Sequence, residues 1–143
     1  MEGYSGTPLP QKLGLRPGAR VYLSNEPPEV RMRLGAVMTG CTLVEDPKSP
    51  LDFSLVFAAS RSELGRVFRR VAGALEDNGM IWACWPKKSS GVSTDLGEHE
   101  VREIGLRAGL VDVKVCAVTD VWSGLKFVRR LRDRDSPRSS KPP

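Results

Sequence analysis

The stretch Leu51-Asp-Phe-Ser-Leu-Val-Phe-Ala-Ala59 decides the fold of this chain. It is an almost continuous apolar run with the length and composition of a β-strand that is covered on both faces. Ser60 and Glu63 follow at the spacing of a capping box, and the apolar residues after them repeat at helical spacing, which predicts an amphipathic helix. A turn at 76–79 then leads into a second covered strand, Met80–Trp85, which a proline ends. A buried strand, a helix and a second buried strand in this order predict parallel strands with helices packed on the sheet.

The remaining segments extend this alternation in both directions. They are a first strand at 19–24, a short helix at 28–36, a short strand at 41–44, a helix that begins with Asp95 and Glu98 as capping residues and ends at Gly109, a strand at 110–118 and a last strand at 125–131. No helix separates the last two strands, so we expect the last one to run antiparallel to the others. The predicted fold is therefore α/β, three-layered and Rossmann-like, with a mostly parallel sheet and a C-terminal antiparallel strand.

The composition excludes several classes of protein. With 40% hydrophobic and 27% charged residues the chain has the composition of an ordinary globular domain, and no apolar run is long enough to cross a bilayer. No signal peptide is evident in residues 1–18, so we expect a cytoplasmic protein. Three cysteines match neither a zinc site nor a disulfide framework, and the single histidine, His99, lies among glutamates on a predicted helix. We therefore expect His99 to face solvent, and we predict no metal site and no catalytic residues.

The positive charge is concentrated at the C-terminus. The chain has a formal net charge of +5, and the residues from Lys126 onward contain seven basic and two acidic residues, which account for the whole excess. We predict an irregular N-terminal arm at 1–18, a single Rossmann-like domain at 19–132 and a basic, disordered tail at 133–143. Tyr4 and three leucines of the arm are expected to pack on the domain.

Several motifs resemble known families. The sequence Arg16-Pro-Gly-Ala-Arg-Val21 at the first strand, the sequence Ala74-Leu-Glu-Asp-Asn-Gly-Met-Ile-Trp82 before a central strand and the closing antiparallel strand resemble a shortened class I S-adenosylmethionine-dependent methyltransferase. A closer resemblance, over about residues 3–131, is to a family of small bacterial proteins known only as a domain of unknown function. The motifs that carry it are Gly3-Tyr-Ser-Gly-Thr-Pro-Leu9, Trp85-Pro-Lys-Lys88, Thr94-Asp-Leu96, Leu110-Val-Asp-Val-Lys-Val-Cys-Ala-Val118 and Trp122-Ser-Gly-Leu-Lys126. This second resemblance implies no established activity.

The resemblance to methyltransferases implies two cofactor-binding features. One is a glycine-rich turn after the first strand, and the other is an acidic residue at the end of the second strand, which binds the ribose hydroxyls. Here the first position reads Leu23-Ser-Asn-Glu-Pro-Pro28, whose two prolines remove backbone donors and flexibility. Glu45 or Asp46 could fill the second position. We therefore predict that the chain lacks the usual cofactor-binding contacts, and we predict that it binds no cofactor.

The candidate site follows from the predicted topology. Ligands of open parallel sheets bind at the carboxyl ends of the strands, where the loops diverge and helix N-termini point inward. The last strand would bring its first residues to that edge if it pairs with Met80–Trp85. The predicted ligand-binding residues are Ser24, Asn25, Lys87, Lys88, Ser89, Ser90, Gly91, Trp122, Ser123 and Lys126. Ammonium groups, hydroxyls, glycine amides and an aromatic wall suit a phosphate or carboxylate on a planar body. In the alternative interpretation, the two loop lysines are solvated and Trp122 packs on the hairpin.

The sequence leaves three functions open. The first, which we favour, is a non-catalytic binding module for a small anionic or nucleotide-like ligand or for a protein partner. The second is a degenerate or cryptic S-adenosylmethionine-dependent methyltransferase, although no carboxylates are paired at a spacing suited to acid and base chemistry. The third is an adaptor whose basic tail contacts nucleic acid, although the tail lacks aromatic residues that would stack on single strands. We expect no membrane partner, and the sequence does not predict an oligomeric state.

Overall fold

The core of the fold is a single six-stranded sheet in a computed structural model that describes residues 6–48 and 50–134. The strands are β1 (Arg20–Ser24), β2 (Thr42–Leu43), β3 (Leu51–Phe57), β4 (Leu75–Pro86), β5 (Leu110–Ala117) and β6 (Trp122–Arg129). Their order across the sheet is β2-β1-β3-β4-β6-β5. Strands β1 to β4 pair in parallel, whereas β6 runs antiparallel to both of its neighbours. The predicted mostly parallel sheet with an antiparallel last strand is confirmed.

Helices cover both faces of the sheet. They are α1 (Leu9–Leu13), α2 (Pro28–Leu34), α3 (Arg61–Ala74), α4 (Glu98–Arg107) and α5 (Leu131–Arg134), with 3₁₀ turns at Gly35–Gly40 and Lys88–Ser90. On the face of α3 and α4, Phe68 packs edge-to-face on Phe127 with ring centroids 5.1 Å apart. On the face of α1 and α2, Nε1 of Trp82 donates a hydrogen bond to the Leu13 carbonyl at 2.9 Å. The three predicted layers are therefore present, and no helix among the described residues is long and apolar enough to cross a membrane.

The strand that decides the fold behaves as its composition predicts. Every residue of β3 is buried except Asp52, so the strand is covered on both faces. It ends two residues earlier than predicted, at Phe57. The predicted capping of α3 is also present, because Oγ of Ser60 accepts a hydrogen bond from the amide of Glu63 at 3.2 Å. These local signals place the central strand–helix unit correctly.

The N-terminal segment differs from the irregular arm that we predicted. It contains α1, because Pro10 suits the first helical turn and Gly14, at φ +81°, ends the helix in the left-handed conformation. The three leucines of this segment are buried, as predicted. Tyr4 lies outside the described residues. The segment therefore contributes directly to the hydrophobic core on the face of α1.

The predicted turn at 76–79 lies inside β4. Leu51 pairs with Leu75, but the next pair along β3 joins Phe53 to Met80. Because the segments on both sides of the predicted turn pair with the same neighbouring strand, residues 76–79 form an irregularity within β4 instead of a turn before it.

The C-terminal hairpin closes earlier than predicted. Oγ1 of Thr119 accepts hydrogen bonds from the amides of Val121 and Trp122 at 3.0 and 3.1 Å, so β6 begins three residues before its predicted start. The first two residues of the predicted disordered tail belong to α5. Residues 135–143 lie outside the described part of the chain.

Candidate functional site

The sheet reverses its strand order between β1 and β3. From β1 the chain proceeds outward to β2 on one side, and β3 then lies on the other side of β1. A reversal of this kind leaves a crevice at the carboxyl ends of the two strands, where ligands of open α/β sheets bind. Ser24, the last residue of β1, is level with Val56 of β3. The next residue, Asn25, is exposed and adopts a left-handed φ of +61°.

The segment after β1 offers no row of amides to an anion. Pro28 is the first residue of α2 and has no N–H, and the Pro27 carbonyl accepts from the amides of Val30 at 3.0 Å and Arg31 at 3.2 Å. The carboxylate of Glu26 pairs with the Arg31 guanidinium. The two prolines therefore start the helix directly, where a glycine-rich turn would expose backbone donors.

The two acidic residues that follow β2, Glu45 and Asp46, differ in their ion pairing. Asp46 accepts a hydrogen bond from Nη2 of Arg70 at 2.7 Å and lies 3.5 Å from Nζ of Lys48. Glu45 is exposed and has no ion pair with any described residue. The amide of Val44 donates to the Val21 carbonyl at 2.8 Å, which keeps the start of this loop beside β1. Glu45 is therefore the carboxylate that remains accessible beside the β1 edge.

The loop before α4 forms hydrogen bonds to the turn between β3 and α3. Oγ1 of Thr94 donates to the Ala59 carbonyl at 2.6 Å, and Oδ1 of Asp95 accepts from the Arg61 amide at 2.8 Å. The prediction that Asp95 caps α4 is wrong, because α4 begins after Gly97 without a side-chain cap. Asp95 instead caps α3, so a carboxylate already occupies the helix N-terminus that would otherwise attract an anion.

The edge of β4 brings together seven of the predicted ligand-binding residues. Trp122 pairs with Pro86 and Ser123 with Trp85, so both lie beside the loop Lys87-Lys88-Ser89-Ser90-Gly91. The Lys87 amide donates to the Val121 carbonyl at 2.7 Å, which ties this loop to the hairpin.

The side chains at this edge differ in their availability. Trp122 packs edge-to-face on Phe57 with centroids 5.2 Å apart. Oγ of Ser90 donates to the Lys87 carbonyl at 2.6 Å and accepts from the Val92 amide at 3.1 Å, so this hydroxyl holds the loop together. Ser89 and the Lys88 side chain are exposed. The placement at one edge is as expected, and the ligand-binding role stays a prediction.

Lys126 does not lie at this edge, which corrects the predicted site. It pairs with Trp82, four residues before Pro86 along β4, a separation of about 13 Å. The physical reason is the early start of β6, which moves Lys126 from the beginning of the strand to its middle. There it lines a different cavity, together with Phe53 and Met80.

The described residues contain no assembled nucleophile or metal centre. His99 is exposed, as predicted, and no three His, Cys, Asp or Glu side chains of the described residues gather as metal ligands. Burial raises the pKa of the Cys84 thiol well above its ordinary value, and it also raises the pKa of Cys116. Both thiols therefore stay protonated at neutral pH, which makes them poor nucleophiles.

Comparison with known proteins establishes the fold class. No family model and no curated protein match the chain. Among solved structures, a protein assigned as a type 11 methyltransferase from Sulfolobus solfataricus matches with a TM-score of 0.59 and 16% identity, over 85% of this chain and 89% of that one. The magnesium protoporphyrin IX methyltransferase of Synechocystis with bound SAH matches with a TM-score of 0.55 and 12% identity, over 80% and 75% of the two chains. The fibrillarin pre-rRNA processing protein of Methanococcus jannaschii matches with a TM-score of 0.53 and 11% identity, over 89% and 70%. The fold is that of the class I S-adenosylmethionine-dependent methyltransferases.

Proposed function

We propose that this protein is a methyltransferase-type domain, degenerate in its glycine turn, that binds S-adenosylmethionine or its demethylated product at the carboxyl edge of β1, β2 and β3. The proposal rests on the difference in ion pairing between the two acidic residues that follow β2. Asp46 is paired with Arg70, whereas Glu45 is exposed and unpaired among the described residues, beside the strand-order reversal. A carboxylate at this place can accept hydrogen bonds from two ribose hydroxyls.

The chemistry of the edge fits an adenosyl sulfonium better than a nucleoside phosphate. A phosphate needs free amides or cations, but α2 begins with a proline and Asp95 caps α3. S-adenosylmethionine carries no phosphate and has a cationic sulfonium and ammonium, which a carboxylate attracts. Glu45 would hold the ribose, and Ser24 and Asn25 would contact the rest of the ligand. When bound, the cofactor would supply an electrophilic methyl group.

A calorimetric titration with S-adenosylmethionine and with its demethylated product tests this function. We expect both ligands to bind the wild type, and Glu45→Gln to weaken binding by about 10- to 100-fold, the value of a charge-assisted hydrogen bond. The matched control is Asp46→Asn, which removes the neighbouring carboxylate and should change the affinity by less than about twofold, because only a surface ion pair is lost. Absence of binding to the wild type, or equal effects of the two substitutions, would refute the proposal.

A second candidate function is the non-catalytic binding module predicted from the sequence, with its site at the edge of β4. It is supported by the loop Lys87–Gly91, whose backbone the hairpin holds beside Trp122. The double variant Lys87→Ala, Lys88→Ala tests it with phenyl phosphate as the probe. Loss of affinity for phenyl phosphate at unchanged stability would support a binding module at this edge, and unchanged affinity would rule it out.

Three further predictions remain proposals. Membership of the bacterial family known as a domain of unknown function is supported by the motifs between residues 3 and 131. A cytoplasmic location is supported by the three cysteines, which are all free thiols. Contact of the tail at 133–143 with nucleic acid is supported only by its three basic residues, Arg134, Arg138 and Lys141, whose charge two aspartates partly offset.

A further inference from the structure

A cavity of about 400 Å³ lies over the amino-terminal half of the sheet, away from the carboxyl edge. Its lining combines cationic and apolar groups. Arg16 and Lys126 supply charge, Asn78 supplies an amide, and Phe53 and Met80 supply an apolar wall. The residues come from the segment after α1 and from strands β3, β4 and β6, so the cavity is built by the packing of α1 against the sheet.

Lys126, in the lining of this cavity, has a second lysine beside it. Lys114 of β5 is directly opposite Lys126 of β6, and paired residues of neighbouring strands project to the same side of a sheet. Like charges in this position destabilise the pairing of the strands. The pKa of Lys126 is lowered by burial and by the charge of Lys114. The fold therefore places two ammonium groups side by side, and no acidic residue takes part in this pair.

Further cations add to the positive potential on this face. Arg16 is exposed and has no ion pair with any described residue. Lys12 and Lys114 both lie close enough to Cys116 to lower the pKa of that thiol against the effect of burial. These contributions come from three separate segments of the chain.

The carboxylate in the lining is already neutralised. Oδ2 of Asp52 accepts from the Arg20 amide at 2.8 Å and from its Nε at 3.2 Å, and Oδ1 accepts from Nη2 at 3.4 Å. The guanidinium keeps the pKa of Asp52 below its ordinary value despite the opposing effect of burial. The lining therefore keeps the charges of Arg16 and Lys126 in excess.

We propose that this cavity binds the phosphoryl group of a small phosphorylated molecule between Arg16, Lys114 and Lys126, with the apolar part of the molecule against Phe53 and Met80. A dianionic phosphoryl group offers three acceptor oxygens, which matches three cationic donors and relieves the repulsion between the two lysines. This ligand is distinct from the adenosyl ligand proposed for the other end of the sheet.

Titration with inorganic phosphate and with phenyl phosphate tests the inference on the full chain. We expect both to bind the wild type, and phenyl phosphate to bind several-fold more tightly because its ring covers the apolar wall. Lys126→Gln should weaken both by about tenfold or more, and Lys114→Gln, whose side chain is exposed and does not support the core, by at least about threefold. Equal affinity for the two probes would overturn the part of the proposal that assigns an apolar body.

Two control variants distinguish this cavity from general attraction to a basic protein. Lys48→Gln removes an exposed lysine beside Asp46, on the α3 side of the sheet, and should leave both affinities within about twofold. Arg66→Gln, which removes an exposed cation of α3 on the opposite face of the sheet, should do the same. Binding that is absent in the wild type, or that falls equally in all variants, would overturn the proposal.

Discussion

At the scale of single residues, one glycine sets how closely α4 approaches the sheet. A side chain at Gly105 would overlap the ring of Phe127, which packs on Phe68 in the core under α3 and α4. A side chain at Gly73, near the end of α3, would meet no neighbouring atom, and this residue is exposed. The two glycines therefore have opposite roles, although both lie inside helices.

Substitution of each glycine by alanine tests this difference. Gly105→Ala should lower the free energy of unfolding by about 1–3 kcal/mol, because the added methyl group overpacks the core. Gly73→Ala should raise it by about 0.5–1 kcal/mol, because alanine has the higher helix propensity and meets no neighbour. Urea unfolding monitored by circular dichroism measures both values. A stabilising effect of both substitutions would show that α4 is not in close contact with the ring.

At the scale of elements, the loop before α4 stabilises the start of α3. Thr94 and Asp95 bind the Ala59 carbonyl and the Arg61 amide, and this contact fixes the turn at the carboxyl end of β3. The loop thereby positions one wall of the crevice in which we place the adenosyl ligand.

Removal of the Asp95 carboxylate should act on α3 and not on α4. We expect Asp95→Ala to lower the free energy of unfolding by about 0.5–2 kcal/mol, the usual value of a helix cap. Amide hydrogen exchange should accelerate at Arg61 and its neighbours in the first turn of α3, with little change at Val101. Acceleration confined to α4 would instead support the local capping that the sequence suggested.

The sequence predicts an element well where the signal is local. The apolar run of β3 and the pair Ser60 and Glu63 depend on residues within a few positions of each other, and both were predicted. The partner of Asp95 is Arg61, 34 residues away, so a capping pattern assigned it to the wrong helix. The position of Lys126 depends on how early Thr119 closes the hairpin, which a strand pattern does not specify.

At the scale of the whole molecule, the two proposed sites lie at opposite ends of the strands and differ in charge. The carboxyl end of β1 and β2 presents Glu45, whereas the cavity is lined by Arg16 and Lys126, with Lys114 beside it as the strand partner of Lys126. The fold explains this separation, because Glu45 belongs to a loop at the carboxyl edge, whereas the two lysines lie in the middle of β5 and β6 and Arg16 follows α1. One scaffold can therefore hold a cationic ligand and an anionic one without competition.

The fold class follows from the order of strands and helices, but the site does not. The missing glycine turn was evident in the sequence as Glu26-Pro-Pro28, and the first turn of α2 has the expected lack of free amides. The availability of Glu45 was not evident, because it depends on the ion pair of Asp46 with a residue of α3. Ion pairs between distant segments thus decide which of two adjacent acids is accessible.

The central claim is that an adenosyl ligand binds at the carboxyl edge of β1 and β2, and two-dimensional ¹H–¹⁵N NMR tests it most directly. The ¹⁵N-labelled chain would be titrated with the demethylated product of S-adenosylmethionine while the backbone amides are followed. We predict saturable shifts at Ser24, Asn25 and Glu45, with the amides of Lys88–Ser90 unchanged. Shifts confined to Lys88–Ser90, or a spectrum that does not change at millimolar ligand, would contradict the account.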